Sequence, residues 1–239
     1  MSVAAPPLIM LHGCGGTPDA TFGTTGWLER FQRSGRPVQA PYLPAHGPDG
    51  GPHDPLAYAD LTNGMLARLP REPVDLIGFS LGAKIALSIA VHAPERIRRL
   101  VVAGIGDNLF APESVGEAAA KALEHGIGDD TPASVRAFLS TWQPRVNNAL
   151  AVAALLRRPS NPQIDEHQLS ASNISTLLIN GSDDAICMQT DILLPALRPI
   201  RHLVIARAGH FDLMARAETL DAAELFLESP QSPHSQETD

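Results

Sequence analysis

Ser80 stands in Gly78-Phe79-Ser80-Leu81-Gly82, a G-x-S-x-G pentapeptide. A serine hydroxyl is a poor nucleophile near neutral pH, so this position does chemistry only if an imidazole takes its proton. A carboxylate must then fix the tautomer of that imidazole and stabilise its charged form. Among the nine histidines, His210 has a strand-end setting, in Ala208-Gly209-His210. His46 also follows a strand end and reads as structuring its own loop, while His53, His125, His167 and His234 read as solvated positions. Three aspartates compete for the acid: Asp184, its neighbour Asp183, and Asp107. The negative charge that develops on a carbonyl under attack needs preorganised N–H donors. The N–H of Leu81, just after the serine, is one candidate. The N–H of Cys14, in the turn His12-Gly13-Cys14-Gly15-Gly16-Thr17, is the other. That glycine-rich turn is not a phosphate loop, because no G-K-[ST] follows it and the G-x-G-x-x-G spacing is missing.

These groups meet only if short strands and helices deliver them to one edge. Val74–Ile77 is a short apolar run rich in strand formers, and an Ala- and Leu-rich helical segment follows Ser80 and stops at Pro94. A strand, a sharp turn and a helix form the context that exposes a serine hydroxyl and aims a helix N-terminus at the reacting oxygen. Further strands are expected at Leu8–Leu11, Val38–Leu43, Ile97–Ile105, Ile174–Ile179 and His202–Ala206. Helices are expected at Gly26–Arg33, at Leu56–Leu69 with Leu56, Leu61, Met65 and Leu66 inward, at Thr190–Leu197 and at Met214–Glu228. Such alternation predicts an α/β fold, a mostly parallel sheet with helices on both faces, whose ligand site lies beyond the carboxyl ends of the strands. From Asn108 to Asn173 the alternation breaks into helical stretches only, Glu113–His125, Pro132–Trp142 and Asn148–Arg157. The expected organisation is a core of residues 1–107 and 174–228, a helical lid at 108–173, and a Ser/Pro-rich disordered tail at 229–239.

The formal net charge is −8 and no basic stripe is present, which argues against nucleic acid as a partner. No segment has the length and apolarity of a membrane span, and the start of the chain lacks the pattern of a secretory leader. Two cysteines, Cys14 and Cys187, do not make a disulfide framework, and no Cys/His spacing suggests a metal. The expectation is a cytoplasmic monomer or homodimer acting on a small-molecule substrate without cofactor or metal.

The motifs together resemble the α/β-hydrolase superfamily over nearly the full length apart from the tail. His12-Gly13 is similar to its oxyanion turn and Gly78–Gly82 to its nucleophile elbow. Pro94-Glu95-Arg96-Ile97 with Leu100-Val101-Val102 resembles its step into the next strand. Gly181-x-x-Asp184 resembles its acid turn and Gly209-His210 its histidine turn, in the family order Ser, acid, His. The resemblance implies a triad of Ser80, Asp184 and His210 with an oxyanion hole from Cys14 and Leu81. It implies a serine hydrolase, similar to compact carboxylesterases, cleaving an ester, thioester or lactone of a small to medium apolar acyl compound through an acyl-enzyme. The alternative within the same fold is a cofactor-free lyase that uses the triad to abstract a proton. The sequence departs from the family pattern at Tyr42 and Ala45, where a D-x-x-G-H-G loop has Asp and Gly, and at Cys14, which reads as a small apolar wall of the site.

Overall fold

Four-residue runs such as Leu8-Ile9-Met10-Leu11 have no polar face, which suits strands covered on both sides. In a computed structural model, which describes residues 5–110, 116–142, 148–159, 164–187 and 189–229, six strands form one sheet. They are β1 (Leu8–Leu11), β2 (Val38–Gln39), β3 (Val74–Phe79), β4 (Ile97–Ala103), β5 (Thr176–Gly181) and β6 (Ile200–Ile205). Their order is β2-β1-β3-β4-β5-β6, and every neighbouring pair is parallel. Parallel pairing needs crossovers, which the helices supply. These are α1 (Trp27–Arg33), α2 (Leu61–Leu66), α3 (Leu81–His92) and α8 (Leu193–Ala196), and α9 (Ala217–Glu228) follows the last strand. Four more, α4 (Gly116–His125), α5 (Ala133–Trp142), α6 (Ala149–Leu156) and α7 (Glu166–Ser172), make a helical insertion between β4 and β5.

The period-2 alternation of the strands divides the core into two layers. Leu8 and Met10 of β1 face Trp27 and Phe31 of α1 and Ala223 and Phe226 of α9. Ile9 and Leu11 face the other way, toward α2, α3 and the insertion. Helix α3 is buried nearly all round, from Leu81 to Ala90, so its Ala- and Leu-rich composition is a packing requirement. The insertion is tied to itself by Arg157, whose guanidinium reaches Glu117 (2.7 Å) and Glu124 of α4.

The structure redraws several expected boundaries. Strand β2 ends at Gln39 rather than Leu43, because it is an edge strand paired only with β1 and Pro41 has no N–H for a ladder. The stretch expected as one helix from Leu56 breaks into a 3₁₀ turn, Pro55–Tyr58, and α2. Asp54 accepts from the Leu56 N–H and Asp60 from the Asn63 N–H, so two caps compete with one helix. Leu56 is consequently 68% exposed, and Tyr58 takes the buried position, its hydroxyl donating to Pro52 O. Thr190–Leu197 shortens to α8, and Met214–Glu228 begins with a 3₁₀ turn, Leu213–Ala215, before α9. Of the insertion's apolar residues, Leu139 is buried but Leu150 is exposed, and the start of the stretch from Glu113 and the side chain of Trp142 lie outside the described residues. So does the tail from residue 230, including His234.

At the amino ends of the strands, away from the glycine-rich turns, Asp75 of β3 is fully buried between two cations. Arg36 Nη2 lies 2.5 Å and Arg98 Nε 2.7 Å from its carboxylate. Removing the anion strands two guanidinium groups in a low-dielectric region, which typically costs about 3–5 kcal/mol. Asp75→Ala is therefore expected to lower the urea midpoint sharply. The remaining folded molecules should turn over substrate normally, because the carboxylate lies at the opposite end of the sheet from the site described next.

Candidate active site

The carboxyl ends of β3, β5 and β6 deliver three side chains to one point. Ser80 joins β3 to α3 with φ 52° and ψ −112°, a left-handed backbone that a non-glycine residue adopts only under strain of about 1–3 kcal/mol. Its neighbours make the turn possible. A Cβ on Gly82 would lie 2.1 Å from Leu11 O, and one on Gly78 would lie 2.5 Å from Gly82 O, so α3 packs against β1 and β3 only through bare α-carbons. The Ser80 N–H is held by Ala103 O at 2.9 Å, and the Oγ is left at the helix start.

His210 Nε2 lies 3.0 Å from Ser80 Oγ, and His210 Nδ1 lies 2.8 Å from Asp184 Oδ2. The second oxygen of Asp184 accepts from the N–H groups of Ile186 (2.9 Å) and Cys187 (3.1 Å). A fully buried carboxylate thus has both oxygens satisfied. The imidazole is held on its faces and edge by aromatic rings, Phe79 at 5.1 Å and Phe211 at 5.3 Å between centroids. The other aspartates are occupied elsewhere. Asp107 accepts from the N–H groups of Ile192 and Leu193 at the start of α8. Asp183 is exposed and takes the Ser182 hydroxyl at 2.7 Å.

The turn from His12 to Gly16 lies across from the serine. A Cβ on Gly13 would be 3.3 Å from Ser80 Cβ. Leu81 is the first residue of α3, so its N–H has no acceptor within the helix and faces the same end. Cys14 is half-buried and packs on the apolar layer that holds α3, as an apolar wall would. His46, 31 residues further on, accepts the Gly15 N–H at its Nε2 (2.8 Å), with its Nδ1 2.7 Å from Pro44 O. His12 repeats the pattern. Its Nε2 accepts from the Leu43 N–H at 3.0 Å, and its Nδ1 lies 2.8 Å from Gly13 O. A carbonyl only accepts and a backbone N–H only donates, so both rings are neutral with the proton on Nδ1. Burial is the main reason both pKa values fall, to about 3 for His12 and about 4 for His46, with the proximity of His46 adding to the first and the charge of Arg158 to the second.

This pair makes a pH prediction. The unfolded chain takes up protons at these two histidines near their ordinary value of 6.5, and the folded chain does so only near 3 and 4. Their contribution to stability is complete above about pH 6.5 and is lost as pH falls, by up to about 1.4 kcal/mol per pH unit for each histidine. The melting temperature is expected to drop steeply between pH 6.5 and 4, and His46→Gln should flatten that slope.

Two contacts at the site have no local sequence signal. Cys187 Sγ lies 3.8 Å from His210 Nδ1, and among the described residues Asp184, Cys187 and His210 bring ligand atoms within 4.8 Å of one another. That convergence of metal-ligating types was not visible in their spacing. Two of the three are already hydrogen-bonded to each other, and burial with the nearby Asp184 pushes the thiol pKa up, which keeps it protonated. Phe211, half-exposed beside His210, meets Phe138 of α5 at 6.2 Å between ring centroids. The insertion therefore touches the residue next to the triad histidine.

A family model described as alpha/beta hydrolase fold matches residues 6–217. The chain is 29% identical to a 2-hydroxymuconate semialdehyde hydrolase of Pseudomonas sp. strain CF600, over 90% of this chain and 84% of that protein. It is also 29% identical to a pimeloyl-[acyl-carrier protein] methyl ester esterase of Neisseria meningitidis serogroup B, over 78% of this chain and 80% of that protein. The structure of NosK from Streptomyces actuosus shares the fold, with TM-score 0.64 at 23% identity, covering 93% of this chain and 97% of that one. No helix among the described residues is long and apolar enough to cross a membrane.

Proposed function

The chain belongs to the alpha/beta hydrolase fold family and has the triad geometry of a serine hydrolase, and from that premise we propose how its residues divide the work. Ser80 is the nucleophile, His210 the base and then the acid, and Asp184 the carboxylate that holds the histidine. The observation that carries this reading is the unbroken line Asp184 Oδ2–His210 Nδ1 (2.8 Å) and His210 Nε2–Ser80 Oγ (3.0 Å).

The steps follow from that line. His210 Nε2 takes the Ser80 proton as Oγ attacks an acyl carbon, and the imidazolium is stabilised by Asp184. The oxyanion is met by the N–H groups of Leu81 and Cys14. His210 then gives the proton to the leaving oxygen or sulfur, leaving an acyl-serine, and a water activated by the same nitrogen releases the acid. The substrate class is an ester, thioester or lactone of a small to medium apolar acyl compound. The support is the composition of the walls, with Phe79 and Phe211 against His210 and Phe138 against Phe211, and the acyl-ester chemistry named for the Neisseria relative. A panel of p-nitrophenyl esters, acyl thioesters and lactones tests it. Turnover of at least one class at rates well above buffer is expected, and none on any of the three counts against the assignment.

Residues 108–173 act as the lid, and Phe138 with Phe211 forms the wall that measures the acyl chain. Phe138→Ala and Phe211→Ala are expected to move the preferred ester toward longer chains, with kcat on the best ester changed by less than about tenfold. An unchanged chain-length profile in both folded variants removes these rings from the pocket wall.

A further inference from the structure

We infer that His46 is a positioning residue for the oxyanion hole, acting with His12 to fix the direction of the Cys14 N–H. The inference rests on the reading of Cys14 N–H as an oxyanion donor. A single N–H on a glycine-rich turn is a poor preorganised donor unless something outside the turn holds it, because glycine leaves the backbone free to rotate. Here both peptide units that flank the Cys14 α-carbon are held. The first is the Gly13–Cys14 peptide. Its carbonyl oxygen takes the His12 Nδ1–H at 2.8 Å and the Gly16 N–H at 3.1 Å. In a planar trans peptide the N–H points opposite to the C=O, so fixing Gly13 O fixes the Cys14 N–H. The second is the Cys14–Gly15 peptide, whose N–H is held by His46 Nε2 at 2.8 Å. The two clamps support each other, since the His12 and His46 rings meet edge to face with centroids 5.2 Å apart. Each is tied at its far end to the loop after β2, His12 through the Leu43 N–H and His46 through Pro44 O. That loop therefore carries the outer support of the turn. His46 is 2% exposed, so the clamp is built into the interior rather than offered to solvent.

His46→Asn isolates the bond, because the shorter amide reaches Pro44 O but leaves the Gly15 N–H without its acceptor. His46→Gln restores an oxygen near the Nε2 position. In His46→Asn we expect kcat on a p-nitrophenyl ester to fall about 10- to 100-fold with KM nearly constant. The affinity of a trifluoromethyl ketone, which presents a tetrahedral oxyanion, should fall by the same factor, and His46→Gln should recover most of both. Gly15 amide exchange, followed by NMR without substrate, should accelerate at least ~10-fold in His46→Asn. Wild-type kcat and ketone affinity in a folded His46→Asn whose Gly15 exchange has accelerated would overturn the inference. A lower kcat with unchanged ketone affinity would also overturn it, since the loss would then not be at the oxyanion. Unchanged Gly15 exchange overturns it whether or not the enzyme cleaves esters, which separates this failure from failure of the nucleophile assignment.

Discussion

Ser80→Ala is expected to abolish turnover, by at least ~10⁴-fold in kcat, while leaving the fold and the melting temperature close to wild type. The loss follows from the geometry. His210 Nε2 has Ser80 Oγ at 3.0 Å, and without that oxygen the base has no nucleophile to activate. The fold should survive because the turn is set by the backbone. The Ser80 N–H to Ala103 O bond and the bare faces of Gly78 and Gly82 remain, and alanine meets the same left-handed strain at φ 52°. Circular dichroism and ester turnover on one preparation check both halves. A folded variant with wild-type rate would remove Ser80 from the mechanism.

Asp184→Asn should lower kcat by at least ~100-fold. The physical reason lies in the oxygen that does not touch His210. Asp184 Oδ1 accepts from the Ile186 and Cys187 N–H groups, so the amide oxygen of an asparagine stays there and its NH₂ turns to His210. Two donors cannot face each other, so His210 Nδ1 gives up its proton and Nε2 carries it instead. An imidazole protonated at Nε2 cannot accept the Ser80 proton. Asp107→Asn should weaken the start of α8 by about 1 kcal/mol at most, and Asp183→Asn should do no more than that to its turn. Neither should change the rate per folded molecule appreciably. An inactive Asp107→Asn beside an active Asp184→Asn would move the acid to β4.

Much of this arrangement could be read from residue order alone, and the reason is the sheet. Strands covered on both faces have to be mainly apolar, so Leu8–Leu11, Val74–Ile77 despite Asp75, and the run from Ile97 despite its two arginines stood out, and the polar residues that end them marked the site edge. Glycines at Gly78 and Gly82 were legible because close approach of backbones demands them. Legibility failed where local signals competed. The Leu56–Leu69 stretch has apolar residues at helical spacing, yet Asp54 and Asp60 each cap a separate turn. Helix α7 was missed although it opens with a capping box, Asp165 at its N-cap and Gln168 in its first turn. The expected strand from Val38 stops early, and Pro41 was the available warning. Other parts of the site were beyond any local pattern. The Gly15–His46 bond spans 31 residues, Cys187 meets His210 only once β5, β6 and their turns are stacked, and Phe138 meets Phe211 only once the insertion is folded over them. His46 was read as serving its own loop, whereas it also supports the glycine-rich turn beside Ser80.

The central claim is that one serine, activated by His210, forms a covalent acyl intermediate. Labelling the full chain with a fluorophosphonate and mapping the modified peptide by mass spectrometry tests this most directly. One label per molecule is expected on Ser80, lost in Ser80→Ala and slowed strongly in His210→Ala. Ester turnover by a wild-type protein that takes up no label, or takes it up on a residue other than Ser80, would contradict it.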